Sequence, residues 1–218
     1  RYFENGATYH IFNRGVEKRD IFTDPSYYSH FLQSLDYYRN EREVRLSEYL
    51  RSFPATANET ILNEKGVLLI DILCYCLMPN HFHLIIRQKV ENGITLYLSS
   101  VCNSFAHYFN TRNQRSGAFF QGPFKAKLIE TREDFLQVSR YVHLNPTSLN
   151  LITSNNEHLF NYPYSSLNEY ISPADPLFIS PSVFTDFRIN SQDYLKFVKG
   201  GIRLGMDKVR DSLDQWVI

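Results

Sequence analysis

Residues 67–88 read VLLIDILCYCLMPNHFHLIIRQ. Val67 to Leu77 is an almost unbroken apolar run, the pattern of a strand buried on both faces. Pro79-Asn80 interrupts it with the residue pair of a tight turn, and His81 to Arg87 resumes as a second strand, which predicts a β-hairpin. Side chains alternate across a strand, so His81 and His83 fall on one face and Phe82 on the other. Two imidazoles on one face of a central strand can chelate one metal ion.

Composition bounds what such a site can serve. With 218 residues, 43% hydrophobic and 15% aromatic, the chain can bury a full core as one domain with an appendage, so no metal is needed merely to hold it folded. No run is long enough to cross a bilayer and there is no signal-peptide pattern. The chain starts at Arg1 rather than Met, as after trimming, and the expected compartment is the cytoplasm. Cys74, Cys76 and Cys102, an odd number for a disulfide scaffold, are expected to be reduced. Lys plus Arg equals Asp plus Glu, 23 each. Zero net charge counts against whole-molecule attraction to nucleic acid but leaves room for a local basic groove.

Outward from the hairpin, Thr8 to Arg14 reads as a short strand ending at Gly15, in which His10 reads as a packed or edge histidine. Asp24-Pro25 is an N-cap followed by proline in the first turn. Tyr28, Phe31, Leu32, Leu35 and Tyr38 then form the buried stripe of an amphipathic helix. From Arg39 to Glu64 the chain is polar and reads as a surface connection, with a helical turn over Leu46 to Leu50 and a loop from Phe53 to Asn58. After the hairpin, Ile94, Leu98, Val101, Phe105 and Tyr108 predict a second helix to about Asn113. Pro123 to Glu130 alternates Phe124, Ala126 and Leu128 with Lys125, Lys127 and Ile129, a strand with two lysines on one face.

Thr131 with Asp134 matches a capping box that opens a third helix. Phe135, Val138 and Val142 supply its buried stripe, and beside it run Gln137, Tyr141 and Asn145, one per turn. Pro146 forces the helix to stop near Leu144, so Tyr141 lies in its last turn. The order strand, helix, strand, strand, helix, strand, helix makes two strand-helix-strand units joined by a hairpin: an α+β, ferredoxin-like split βαβ with helices packed on an antiparallel sheet. In that arrangement a helix can bring Tyr141 opposite the histidine pair. Residues 1–150 form this domain and 151–218 a C-terminal extension, where Ser191 to Lys199 reads as a small helix ending at Gly200-Gly201.

Three blocks carry a resemblance: Tyr9-His10-Ile11-Phe12-Asn13-Arg14-Gly15, the stretch from Tyr75 to Ile86 with Met78-Pro79-Asn80-His81-Phe82-His83 at its centre, and Tyr141-Val142-His143-Leu144-Asn145-Pro146. Together they resemble the signature blocks of single-tyrosine HUH transposases, and the branch they resemble most is that of the REP-associated tyrosine transposases. The resemblance covers about residues 1–150, and Tyr162-Pro163-Tyr164-Ser165-Ser166 is similar to that branch's C-terminal region. It implies a metal-dependent enzyme that cuts and rejoins single-stranded or hairpin DNA through a covalent 5′-phosphotyrosine. Carried over to this chain, it makes Tyr141 the nucleophile and His81, His83 and Asn145 the ligands of a Mg or Mn ion. No nucleotide cofactor is implied, and a homodimer is compatible with it.

The residues suit that chemistry. A phenol of pKa about 10 needs a cation nearby to attack at neutral pH, which the metal, Lys125 or Lys127 supplies. Basic residues close to aromatic ones, at Phe12 to Arg14, Tyr108 to Arg115 (with Arg112) and Phe119 to Lys127, are the elements of a single-strand groove. Other readings stand beside this one. Cys74 and Cys76 could join the histidines in a structural zinc site. The chain could instead be a domesticated sequence-specific DNA-binding protein with little catalysis, or an unrelated HxH metal hydrolase in which Tyr141 is dispensable. His143 reads as structural or as a DNA contact.

Overall fold

The hairpin forms with Met78 paired to His81, which makes Pro79-Asn80 a two-residue turn between β2 (Ile70–Met78) and β3 (His81–Gln88). This computed structural model describes residues 2–52, 66–149, 157–174 and 178–204. Before the hairpin lie β1 (Thr8–Arg14), α1 (Pro25–Tyr37) and α2 (Leu46–Ser52). After it come α3 (Gly93–Arg112), β4 (Lys125–Ile129) and α4 (Arg132–Leu144). The predicted turn at Leu46 is thus a helix, and the loop expected from Phe53 to Asn58 lies outside the described residues.

The sheet order is β2-β3-β1-β4, with every neighbouring pair antiparallel. Two strand-helix-strand units interleave, which is the split βαβ arrangement read from the sequence. β1 and β3 occupy the centre because each is paired on both sides. One sheet face, with Ile11, Phe82, Leu84 and Ile86 fully buried, is covered by α1 and α3, Phe31 meeting Phe82 at 5.1 Å and Phe105 at 5.0 Å. The apolar β2-β3 run needs cover on its other face as well, and α4 supplies it, packing on β2, β3 and β4. This places α4 across the sheet from α1 and α3.

Local sequence sets the helix ends. The Asp24 carboxylate accepts from the Ser26 amide at 2.8 Å with Pro25 in the first turn, and Thr131 Oγ1 accepts from the Asp134 amide at 3.0 Å. α4 ends at Leu144 and gives way to a 3₁₀ turn, Asn145–Leu149, at Pro146. Gly15, directly after β1, allows a close approach: a Cβ there would stand 2.5 Å from the Arg19 carbonyl oxygen and 2.6 Å from Ile21.

The C-terminal extension is built into the domain. It carries α5 (Glu157–Phe160), α6 (Leu167–Ile171), α7 (Ser182–Asp186) and α8 (Ser191–Leu204). Tyr164 and Ser166 hydrogen-bond along the outer edge of β2, to the Leu77 amide at 2.8 Å and the Tyr75 carbonyl at 3.0 Å, and the Ser180 amide adds a bond to Ile72. α8 does not end at Gly200-Gly201 as expected but runs on to Leu204. Gly201 faces α4, where a Cβ would come within 2.7 Å of Leu144 Cδ1 and 3.0 Å of Arg140 Cδ, so its role is close helix packing rather than termination.

On the α1-α3 layer His30 is buried, stacked on Tyr108 at 3.9 Å, and burial holds its pKa down at about 4. The unfolded chain takes up a proton at this position as pH falls through about 6.5, whereas the folded chain does so only near 4. The stability that His30 carries in its neutral form is therefore complete at pH 7.5 and lost on acidification, by about 2 kcal/mol at pH 5. Denaturant titrations at pH 7.5 and pH 5 should show wild type losing about that much more than His30→Phe; equal losses contradict it.

Candidate active site

β3 places His81 and His83 on the α4 side of the sheet, their rings 5.0 Å apart and nearly perpendicular. Each has its Nδ1 engaged. The Asn80 side-chain oxygen accepts from His81 Nδ1–H at 2.6 Å, which leaves the lone pair of that ring on Nε2. His83 Nδ1 lies 2.9 Å from His10 Nε2. His83 is fully buried, yet its Nε2 has no hydrogen-bond partner among the described residues. An orphaned buried imidazole nitrogen is costly unless something occupies it. Burial pushes the His10 pKa down to about 3 and that of His83 well below its usual value, the latter helped by His81, His10 and Arg14. Neutral imidazole is the form that binds a metal. Among the described residues no three His, Cys, Asp or Glu side chains cluster for a metal.

Tyr141 meets this pair from across the interface. Its ring stands 5.4 Å from that of His83 and 6.4 Å from that of His10, edge to face in both cases. It is buried among them on the last turn of α4. Asn145, also buried, donates from its amide nitrogen to the Tyr141 carbonyl at 2.9 Å, which fixes it one turn below the tyrosine. Gln137, the third member of the stripe, accepts from Arg140 at 2.6 Å.

The basic residues divide between the two layers. Arg14 pairs with His81, Lys127 with His10 and Lys125 with Phe12, so these three share the histidine face. The Lys125 ammonium lies 5.7 Å from the Phe12 ring. Arg112 and Arg115 are not brought to this face. Arg112 sits on the α1-α3 layer, donating to the Tyr108 and Ser26 hydroxyls at 2.8 Å, with the Asp24 carboxylate at 3.8 Å. Arg115 donates to the Ala118 carbonyl at 3.3 Å and lies over Phe109.

Cys74 and Cys76 share the histidine face, but burial pushes both thiols well above their usual pKa, whereas zinc needs thiolates. Cys74 Sγ instead lies 3.3 Å from His143 Nε2. His143 is a buried structural hub: its Nε2 also meets the Ser166 hydroxyl at 2.8 Å and its Nδ1 the Tyr194 hydroxyl at 2.8 Å, joining α4, β2 and the extension. The residue that sequence reasoning missed is His10, which is no bystander of packing but the hydrogen-bond partner of His83. Only the register of β1 on β3 reveals it.

Residues 38–145 match the family described as "Transposase IS200 like". The matched stretch contains His81, His83 and Tyr141 and ends on Asn145. Among solved structures, that of a REP-associated tyrosine transposase bound to a REP hairpin aligns over 78% of this chain and 82% of its own, at 15% identity and a TM-score of 0.49. No curated protein matches the sequence. No helix among the described residues is long and apolar enough to cross a membrane. Over residues 38–145, just under half of its length, the chain is thus similar to the IS200-like transposases.

Proposed function

We propose that this chain nicks and rejoins single-stranded DNA through a covalent 5′-phosphotyrosine at Tyr141, in the manner of the single-tyrosine, REP-associated branch that its sequence blocks resemble. The observation that carries the reading is the edge-on approach of the Tyr141 ring to His83, 5.4 Å away, whose buried Nε2 has no hydrogen-bond partner among the described residues. His81 and His83 would hold a Mg or Mn ion through Nε2, with the Asn145 amide oxygen as third ligand. Such an ion neutralises a phosphate oxygen and orients the phosphodiester for attack.

The chain's own residues do the rest. Tyr141 gives up its phenolic proton and its oxygen bonds to phosphorus. The bond from phosphorus to the 3′ oxygen breaks, and that oxygen leaves with the electron pair and takes a proton to become a 3′-hydroxyl. The 5′-phosphate stays on Tyr141 until another 3′-hydroxyl attacks it, which restores the phenol and joins the strands. Arg14, Lys125 and Lys127, on the same face, suit the approaching DNA backbone. The preference for hairpins rests on the resemblance of the sequence blocks.

The test uses 3′-labelled single-stranded hairpin DNAs with randomised flanks, incubated with the protein and manganese. The expected product is a denaturation-resistant adduct that chelator prevents, with the nucleotide mapped by peptide mass to Tyr141. Cleavage without an adduct would turn the reading toward a hydrolase. DNA binding with neither cleavage nor adduct would turn it toward a DNA-binding protein.

A further inference from the structure

His83 can offer a lone pair at Nε2 only as the tautomer that carries its proton on Nδ1. Its Nδ1 faces a single nitrogen, His10 Nε2 at 2.9 Å, with the two rings nearly parallel and 5.1 Å apart. Two arrangements satisfy that contact. If His10 donates, His83 Nε2 carries the hydrogen and has no lone pair to offer a cation. If His83 Nδ1–H donates, His10 Nε2 accepts and His83 Nε2 turns its lone pair outward. His10 is diagonal to His83 across the two central strands, where β1 pairs His10 with Ile85 and Phe12 with His83. Neighbours on both sides fix each strand, so the contact is set by the sheet rather than by flexible side chains. The nitrogen of His10 that faces the site is committed to His83 and is not itself a ligand.

We propose that His10 is a positioning residue that accepts from His83 Nδ1–H and thereby holds His83 as the tautomer able to ligate a divalent cation. This rests on the metal site of the preceding section. Asn80 plays the matching part for His81, so the two ligands are oriented by different partners, one inside β1 and one in the hairpin turn. Hydrogen-bonded partners behind ligating histidines raise the ligand's basicity and freeze the ring, and their loss commonly weakens metal binding by about 10- to 100-fold.

The experiment titrates metal-free protein with Mn²⁺ alone and follows the free-ion electron paramagnetic resonance signal. His10→Met, which keeps the bulk but offers only a weak thioether acceptor, should weaken binding about 10- to 100-fold, and His10→Gln, whose side-chain oxygen can take the Nε2 place, should restore it to within about threefold. A merely structural role would not separate two variants of like shape and equal thermal stability. Wild-type affinity in His10→Met overturns the proposal for His10. His81→Ala separates the two levels of the argument: if it binds Mn²⁺ as wild type does, the metal site itself falls. Should the His10 variants not fold, long-range ¹H–¹⁵N spectra of the wild-type imidazoles with Mg²⁺ decide the matter. Protonation of His83 at Nδ1 supports the proposal, and protonation at Nε2 overturns it.

Discussion

Tyr141→Phe protein is expected to bind single-stranded hairpin DNA within about threefold of wild type yet form no covalent adduct, with cleavage slowed at least about 10⁴-fold. The substitution removes one oxygen and keeps the ring. The edge-to-face contacts with His83 and His10 that seat the side chain survive, and the stability cost stays near 1 kcal/mol for a lost hydroxyl. Deleting the proposed nucleophile therefore separates chemistry from folding in a single change. Gel analysis of a 3′-labelled hairpin after denaturation gives the answer, with a binding assay in parallel. A surviving adduct in the mutant would remove Tyr141 from its role.

His83→Ala should lose cleavage by about 10³-fold at saturating DNA, without rescue by excess manganese. The estimate follows from the several kcal/mol that a cation contributes to stabilising charge on the phosphate, at about 1.4 kcal/mol for each factor of ten. This variant differs from Tyr141→Phe in a measurable way. It should lose Mn²⁺ binding along with cleavage, and its DNA affinity in chelator should equal that of wild type, because Arg14, Lys125 and Lys127 are untouched. Single-turnover rates against manganese concentration would show a flat, low line. A normal rate reached at high manganese would mean that His83 tunes the site rather than forms it.

The parts of the fold that depend on neighbouring residues were legible in the sequence. The turn at Pro79-Asn80 and the caps at Asp24 and Thr131 each involve residues within a few positions of one another, and the structure shows each of them. The α-helix does end at Leu144, but Asn145 keeps helical dihedrals and the chain passes through Pro146 as a 3₁₀ turn, so the proline tightens the helix rather than expelling the residue before it. The order of elements then gave the sheet. What depends on side chains meeting from distant strands was not legible. His10 and His83 are 73 residues apart, and nothing in either local pattern tells that their nitrogens meet. Arg112 shows the same limit in reverse. It lies near aromatic residues in sequence, as a DNA contact would, but Ser26 and Asp24 at the start of α1 engage it on the far layer. Gly201 was misread because glycine after a helical stretch signals a helix end, whereas here the missing side chain admits Leu144 of α4.

The strip formed by Tyr164 to Ser166 along β2 bears on which truncations the fold tolerates. Every residue proposed for the chemistry lies before Pro146, yet a copy truncated after that point would bare a long apolar strand with unsatisfied amides, a ready template for aggregation. A chain shortened there can therefore keep every residue proposed for the chemistry and still yield an insoluble product.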